Sequence, residues 1–167
     1  MGSGATYLHP ASDRRMLVEG PFSAVLLMAS SASGGRLSLV EHPLAPRALG
    51  SPLHTRSHED EYSYILDGQI GAQVGDEVIT AGPGDVIAKP SGIPHAFWNA
   101  GDEPARVLEI IAPGGFEDYF AGLGGLLAAG GPPDPAARHA LAQRFGLDLD
   151  TGSIPRLAAA HNLRLDA

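Results

Sequence analysis

From Pro52 to Ala112 the chain is cut into short apolar runs by turn-forming groups: Asp67-Gly68, Gly75-Asp76, Ala81-Gly82-Pro83-Gly84-Asp85, Pro90-Ser91-Gly92-Ile93-Pro94 and Gly101-Asp102. Glycine and proline both break helices, and the runs between them are too short for one. Such spacing predicts short antiparallel strands. Asp67-Gly68 marks a tight hairpin, because both residues tolerate positive φ. Several strands at near-regular spacing read as a sandwich or barrel. Composition agrees, since 22 glycines and 14 prolines in 167 residues exceed ordinary usage. The length suits one domain with some appended structure.

A formal charge of −8 opposes a nucleic-acid surface, which needs clustered Lys and Arg against phosphates. Lys89 is the single lysine. With no cysteine, thiolate ligands, disulfides and a cysteine nucleophile are excluded, and a metal would need N and O ligands. No apolar stretch approaches the ~20 residues of a membrane span, and the N-terminus lacks a signal-peptide pattern. The expectation is a cytoplasmic protein without nucleic-acid or membrane partners.

Residues 1–19 are polar and read as an arm or a loosely attached edge segment. Phe22 to Ala29 is a buried strand by its apolar run, returning through Ser30–Gly35 into Arg36–Val40 as a hairpin. His42, before Pro43, reads as a loop histidine. After Pro113 the pattern changes. Phe116, Tyr119, Phe120, Leu123, Leu126 and Leu127 stand at helical spacing, although Gly122, Gly124 and Gly125 oppose a helix. Gly130 to Pro133 is a break. Asp134-Pro135 and Ser153 with Pro155 are helix starts, the first helix running to about Phe145. His139 and His161 read as surface or packing residues of these helices. The division expected is 1–19 arm, 20–113 β barrel and 114–167 helical extension packed on it.

Two groups of candidate ligands lie within the β region. His54, Arg56 and His58 alternate, so they share one face of a regular strand, and a bend at Glu59-Asp60 would bring Glu61 back toward His54. His95 shares a face with Phe97 and Asn99, aimed by the turn at Gly92 and Pro94. Imidazoles and a carboxylate on neighbouring strands suit a divalent transition metal with open positions for substrate. Tyr62 and Tyr64 point away from Glu61 and Ser63, toward the outside or a dimer interface. Trp98 reads as buried under another element, and Asn99 as a strand-end residue satisfying backbone groups.

The phrase Gly84, Pro90, Gly92, His95, Asn99 matches the second motif of the cupin superfamily, G-x5-P-x-G-x2-H-x3-N, without exception. His54, Glu61 and Gly68 match most of the first, G-x5-H-x-H-x3,4-E-x6-G. The chain resembles the small single-domain bacterial cupins of the quercetin-dioxygenase-like subgroup, over about Gly20 to Pro113. Two positions depart from the pattern. Ala48 stands where the first motif opens with glycine, and Arg56 where it has its second histidine. The resemblance implies an all-β cupin fold, a double-stranded β-helix or jelly-roll barrel with a small C-terminal helical extension, and a homodimer in which the N-terminal arm is a candidate for exchange.

Carried over residue by residue, the motifs leave His54, Glu61 and His95 as metal ligands. A guanidinium does not ordinarily ligate a metal, and three readings of Arg56 stay open. Two histidines and a carboxylate suffice for one divalent transition metal. Alternatively His58 bends inward as a further ligand. In the third reading the pocket works metal-free, with Glu61 or a histidine as acid or base and Arg56 clamping an anion. The resemblance implies a metal-dependent oxygenase, dioxygenase-like, acting on a small aromatic or polyketide-like substrate. Catalysis then falls to Glu61 and Arg56, and substrate contacts to Arg56, Ser63 and Phe97. The alternatives are a metal-free or Lewis-acid isomerase, cyclase or dehydratase, and a non-catalytic small-molecule binder.

Overall fold

A computed structural model describes residues 7–130 and 133–165. Residues 1–6 of the expected arm, 131–132 of the expected break and 166–167 of the extension lie outside the described residues. The strands are β1 (Arg15–Val18), β2 (Ala24–Met28), β3 (Ser38–Leu44), β4 (Leu49–Arg56), β5 (Asp60–Asp67), β6 (Ile70–Val74), β7 (Glu77–Ala81), β8 (Val86–Lys89), β9 (His95–Asn99), β10 (Ala105–Ala112) and β11 (Leu147–Asp150). The helices are α1 (Glu117–Ala128), α2 (Pro135–Arg144) and α3 (Ser153–His161). No helix among the described residues is long and apolar enough to cross a membrane.

Two sheets form, in the orders β1-β2-β3-β10-β5-β8 and β11-β4-β9-β6-β7. Both are antiparallel, as the turn pattern requires. Period-two alternation sets their inner faces. On β5, Glu61, Ser63 and Ile65 are buried while Tyr62 and Tyr64 face out. On β10 the buried set is Ala105, Val107, Glu109 and Ile111. Strand β9 is buried throughout, because His95, Phe97 and Asn99 face the interior while Trp98 lies against α3 and stacks on His161 with centroids 4.0 Å apart. The Asp67-Gly68 hairpin depends on its glycine: φ is +78°, and a Cβ there would lie 2.7 Å from the Ala105 Cβ.

The interior has two apolar halves. Leu44, Ile65, Ile70, Ile87, Phe97 and Val107 fill one end of the barrel. Val18, Leu26, Val40, Ile111, Phe116 and Phe120 fill the other, beneath α1. Asn99 ties a strand end to neighbouring loops, its Nδ2 donating to the Glu103 and Ala45 carbonyls at 2.7 and 3.0 Å.

The extension folds onto the barrel through the starts read from sequence. Asp134 caps α2 by accepting from the Ala136 N–H at 3.1 Å, with Pro135 at the first position. Glycines that opposed a helix over Phe116–Leu127 are what let α1 pack. A Cβ on Gly124 would strike the Leu17 carbonyl, and one on Gly122 would lie 2.8 Å from Leu141. Three features differ from the sequence reading. Arg15–Val18, inside the segment read as an arm or a loosely attached edge segment, is a regular edge strand whose Val18 is anchored in the core. His42 is in β3 rather than a loop, because Pro43 ends no strand here: its carbonyl accepts from the Ser23 N–H at 3.0 Å. Leu147–Asp150 forms β11 along β4.

Candidate functional site

Strands β4, β5, β8, β9 and β10 aim polar side chains into the space between the apolar halves. His54 and His95 are register partners across β4 and β9, and their rings meet edge to face with centroids 4.3 Å apart. The bend at Ser57–Glu59 starts β5 so that Glu61 comes back to them. His54, Glu61 and His95 each offer a ligand atom, all within 4.8 Å of one another, and form a cluster that could hold a metal. His58 is outside it. It sits exposed on the turn, where Ser57 is tied to the Gly146 carbonyl, so it supplies no further ligand.

Glu61 is engaged on both oxygens. Arg56 Nη2 stands 2.8 Å from Oε1, His95 Nε2 2.9 Å from Oε2, and Lys89 Nζ 3.6 Å from Oε2. Burial would raise this carboxyl's pKa, but the Arg56 and Lys89 charges and the His95 contact outweigh it and hold the group well below the carboxylate range. Lys89, 1% exposed, also reaches Glu109 Oε1 at 2.7 Å, and that oxygen accepts from Ser63 Oγ at 2.8 Å. Ser63 is therefore bound up behind the site, where Glu109 takes its hydroxyl, and does not face the cavity as a substrate contact. Two carboxylates and two basic side chains lie within one buried network.

That network bears on a metal. A divalent ion at the cluster would face Arg56 and Lys89 at close range, and neither Glu61 oxygen is free of a donor. His95 is committed too, with Nδ1 at 3.0 Å from the Ile93 carbonyl and Nε2 on Glu61. Donor type and convergence suit a metal, but the surrounding charge does not fit a resident divalent ion.

Beside the cluster lies a cavity of about 630 Å³, within the range of small-molecule sites. Its barrel wall includes His42, His54, Arg56, Glu61 and Phe97, so of the expected substrate contacts it takes Arg56 and Phe97. The extension adds further lining, with Phe116, Tyr119 and Phe120 from the α1 end and Leu147 and Leu149 from β11, beside Arg56 and His54 in the same sheet. Arg56, 4% exposed, lies with its guanidinium carbon 3.5 Å from the Phe116 ring centroid. Its Nε and Nη1 have no partner among the described residues. His54 Nδ1 donates to the Pro52 carbonyl at 2.9 Å. Burial, reinforced by His95 and Arg56, pushes the His54 pKa well below the imidazole value, so the ring is neutral with its lone pair on Nε2.

Sequence reasoning missed Lys89, Glu109 and His42. Their signal was phase: each is a polar residue on the inward side of an alternating strand, Lys89 with Ile87, Glu109 with Val107 and Ile111, and His42 with Val40 and Leu44.

A cupin-domain family model matches residues 41–111. A search of curated proteins found no match. Among solved structures, a predicted oxalate decarboxylase from Thermotoga maritima is similar at 21% identity and a TM-score of 0.57, over 64% of this chain and 98% of that one. KdgF from Halomonas sp. is similar at 17% and 0.56, over 65% and 94%. Streptomyces PAC13, a nucleoside dehydratase, is similar at 14% and 0.52, over 65% and 82%. The matched motifs, the two facing antiparallel sheets and these neighbours agree: residues 41–111 match the cupin domain, and the β body built on them has the cupin fold.

Proposed function

We propose that this cupin is a small-molecule enzyme that moves protons on an anionic organic substrate without a resident metal, as an isomerase, cyclase or dehydratase. Neighbours of the same fold are named for decarboxylation and for dehydration, so the fold does not choose the reaction and the site has to. The observation that carries the reading is Arg56, a buried guanidinium paired with Glu61 at 2.8 Å where the motif has a histidine. With Lys89 it supplies the positive charge that a metal would otherwise bring.

In this reading Arg56 binds the substrate's carboxylate or carbonyl oxygen and stabilises the negative charge that develops there. His54 Nε2 takes a proton from the carbon next to the carbonyl, and the C–H electron pair moves onto the oxygen facing Arg56. The imidazolium then returns the proton to a neighbouring carbon, completing an isomerisation, or to a departing hydroxyl, completing a dehydration. Glu61, held ionised by its partners, is a weak base. It is a positioning residue that fixes Arg56 and His95.

The second reading is the metal-dependent oxygenase of the dioxygenase-like subgroup. The convergence of His54, Glu61 and His95 within 4.8 Å favours it, since two histidines and a carboxylate are an iron-oxygenase donor set. Metal analysis of freshly purified protein separates the two. Wild type is expected to carry little metal, and Arg56→His, which removes a cation and adds a donor, to carry a stoichiometric ion. A stoichiometric ion in wild type overturns the first reading and supports the second.

The oligomer we propose is a homodimer through the outer face of the six-stranded sheet. Supporting it, Tyr62, Tyr64 and Val86 are 39%, 38% and 60% exposed there on adjacent strands.

A further inference from the structure

Charge around the cavity is unevenly answered. Arg56 and Glu61 answer each other at 2.8 Å inside the barrel. The other charged lining residues are Glu19, Arg138 and Arg164, all outside the residues that match the cupin domain. Glu19, just after β1, and Arg164, after α3, are exposed, so water solvates their charge. Arg138 in α2 is half-buried, and its guanidinium has no ion-pair or hydrogen-bond partner among the described residues. Its nitrogens are not enclosed by protein either. The fold thus leaves one cation partly desolvated, unpaired and open toward the cavity.

Tyr119 in α1 lines the same cavity. The two helices pack together, with Leu141 of α2 filling the space over Gly122 of α1. Tyr119 is 7% exposed, and Phe120 and Phe145 hold its ring edge-on with centroids 5.8 and 6.0 Å away. A tyrosine buried to this degree ordinarily has a partner for its hydroxyl. Here the hydroxyl has none among the described residues, and its oxygen is not sealed off. Burial raises the pKa of this phenol against the positive charge of Arg138, the strongest charge acting on it, and the weaker influence of Arg56. Tyr119 is therefore a neutral hydroxyl donor within the field of Arg138.

On this side of the cavity the neighbours are apolar: Leu123 and Leu127 of α1 and Ile154 of α3. A guanidinium and a phenol hydroxyl among them, both donors without an acceptor, are complementary to an anionic oxygen. We propose that Arg138 and Tyr119 form an oxyanion-holding subsite, so that the helical extension, rather than the barrel, selects ligands by their negative charge. This rests on the reading of the substrate as an anion and names the residues that recognise its charged end. Arg138 is a specificity residue and takes no part in the proton transfer assigned to His54.

The test is fluorescence titration of the full chain with two probes: anilinonaphthalene sulfonate, and phenylnaphthylamine, the same skeleton without the sulfonate. The neutral probe is the more apolar, so the readout is how each affinity changes between proteins. Arg138→Met, which keeps the apolar stem, is expected to weaken the sulfonate about fivefold or more and to leave phenylnaphthylamine unchanged. That is the size of a charged hydrogen bond partly screened by water. Arg138→Lys, which keeps the charge, is expected to recover most of the loss. Tyr119→Phe keeps the ring contacts and is expected to weaken the sulfonate alone by about threefold, so it carries the test if Arg138→Met does not fold. Arg144→Met, an exposed arginine of the same helix outside the cavity, is expected to behave as wild type.

Equal weakening of both probes by Arg138→Met, or a sulfonate affinity that this variant leaves unchanged, overturns the inference. So does an Arg144→Met effect as large as that of Arg138→Met, or a wild type that does not bind the sulfonate. A loss in Arg138→Met without one in Tyr119→Phe overturns the paired subsite. The functional reading stands or falls separately, on metal analysis of wild type and Arg56→His.

Discussion

Lys89 shows how tightly the residues of this interior depend on one another. It is the only lysine in the chain, it is buried, and it stands between Glu109 and Glu61 with the Phe97 ring 4.8 Å from its nitrogen. Lys89→Met leaves Glu109 in the interior with the Ser63 hydroxyl as its remaining donor, since Oε2 has no partner among the described residues. Removing one member of a buried pair costs about 3–5 kcal/mol, whereas replacing both by apolar residues is often neutral. Urea unfolding is expected to show a loss of that size for Lys89→Met and recovery of most of it in Lys89→Met with Glu109→Leu. A single variant as stable as wild type would mean that the network is not held by charge. His42 gives a second prediction at this scale. Its folded pKa lies below the unfolded value of about 6.5, so both states are neutral at higher pH, and as pH falls through 6.5 only the unfolded state takes up the proton. Stability therefore declines as pH drops from about 6.5 toward 5, and His42→Phe is expected to flatten that decline. Unfolding midpoints of wild type and variant across the range give the comparison, and equal slopes would show that His42 is protonated alike in both states.

Among the elements, the strands that carry the site were legible and the contacts that complete it were not. Turn chemistry located β5 to β10 because Gly and Asp at fixed offsets force reversals, and motif spacing placed His54, Glu61 and His95 together. Arg56 stood out in the motif, but its salt bridge to Glu61 joins residues whose separation depends on a bend that no alternation rule specifies. Strand β11 was hidden by brevity: Leu147-Asp148-Leu149-Asp150 alternates cleanly, yet four residues carry little signal until Leu147 and Leu149 pair opposite Arg56 and His54. Helix α1 was opposed by its glycines for a sound local reason that tertiary packing overrides. That conflict makes a paired prediction. Gly124→Ala meets the Leu17 carbonyl and is expected to lower stability by about 1–3 kcal/mol despite its better helix propensity. Gly125→Ala, with nothing among the described residues within 4 Å of the new carbon, is expected to raise it by about 0.5–1 kcal/mol. Thermal unfolding of the two variants reads both signs, and two stabilised proteins would mean that α1 does not press on β1.

For the whole molecule, the two faces of the six-stranded sheet differ in chemistry. The inner face of β5 holds Glu61 and Ser63 in the buried network, while its outer face presents Tyr62 and Tyr64. Register extends that outer face sideways: Tyr64 lies between Leu108 on β10 and Val86 on β8, and Tyr62 between Ile110 and Ala88. Aromatic and aliphatic side chains on three adjacent strands make a continuous apolar surface of the kind that a second copy covers. Because a twofold contact uses the same patch twice, one charge placed at its centre is desolvated on both partners and opposes its own copy. Tyr64→Glu is accordingly expected to shift sedimentation from dimer to monomer, with Tyr64→Phe remaining dimeric. A wild type that sediments as a monomer across the concentration range would remove the dimer.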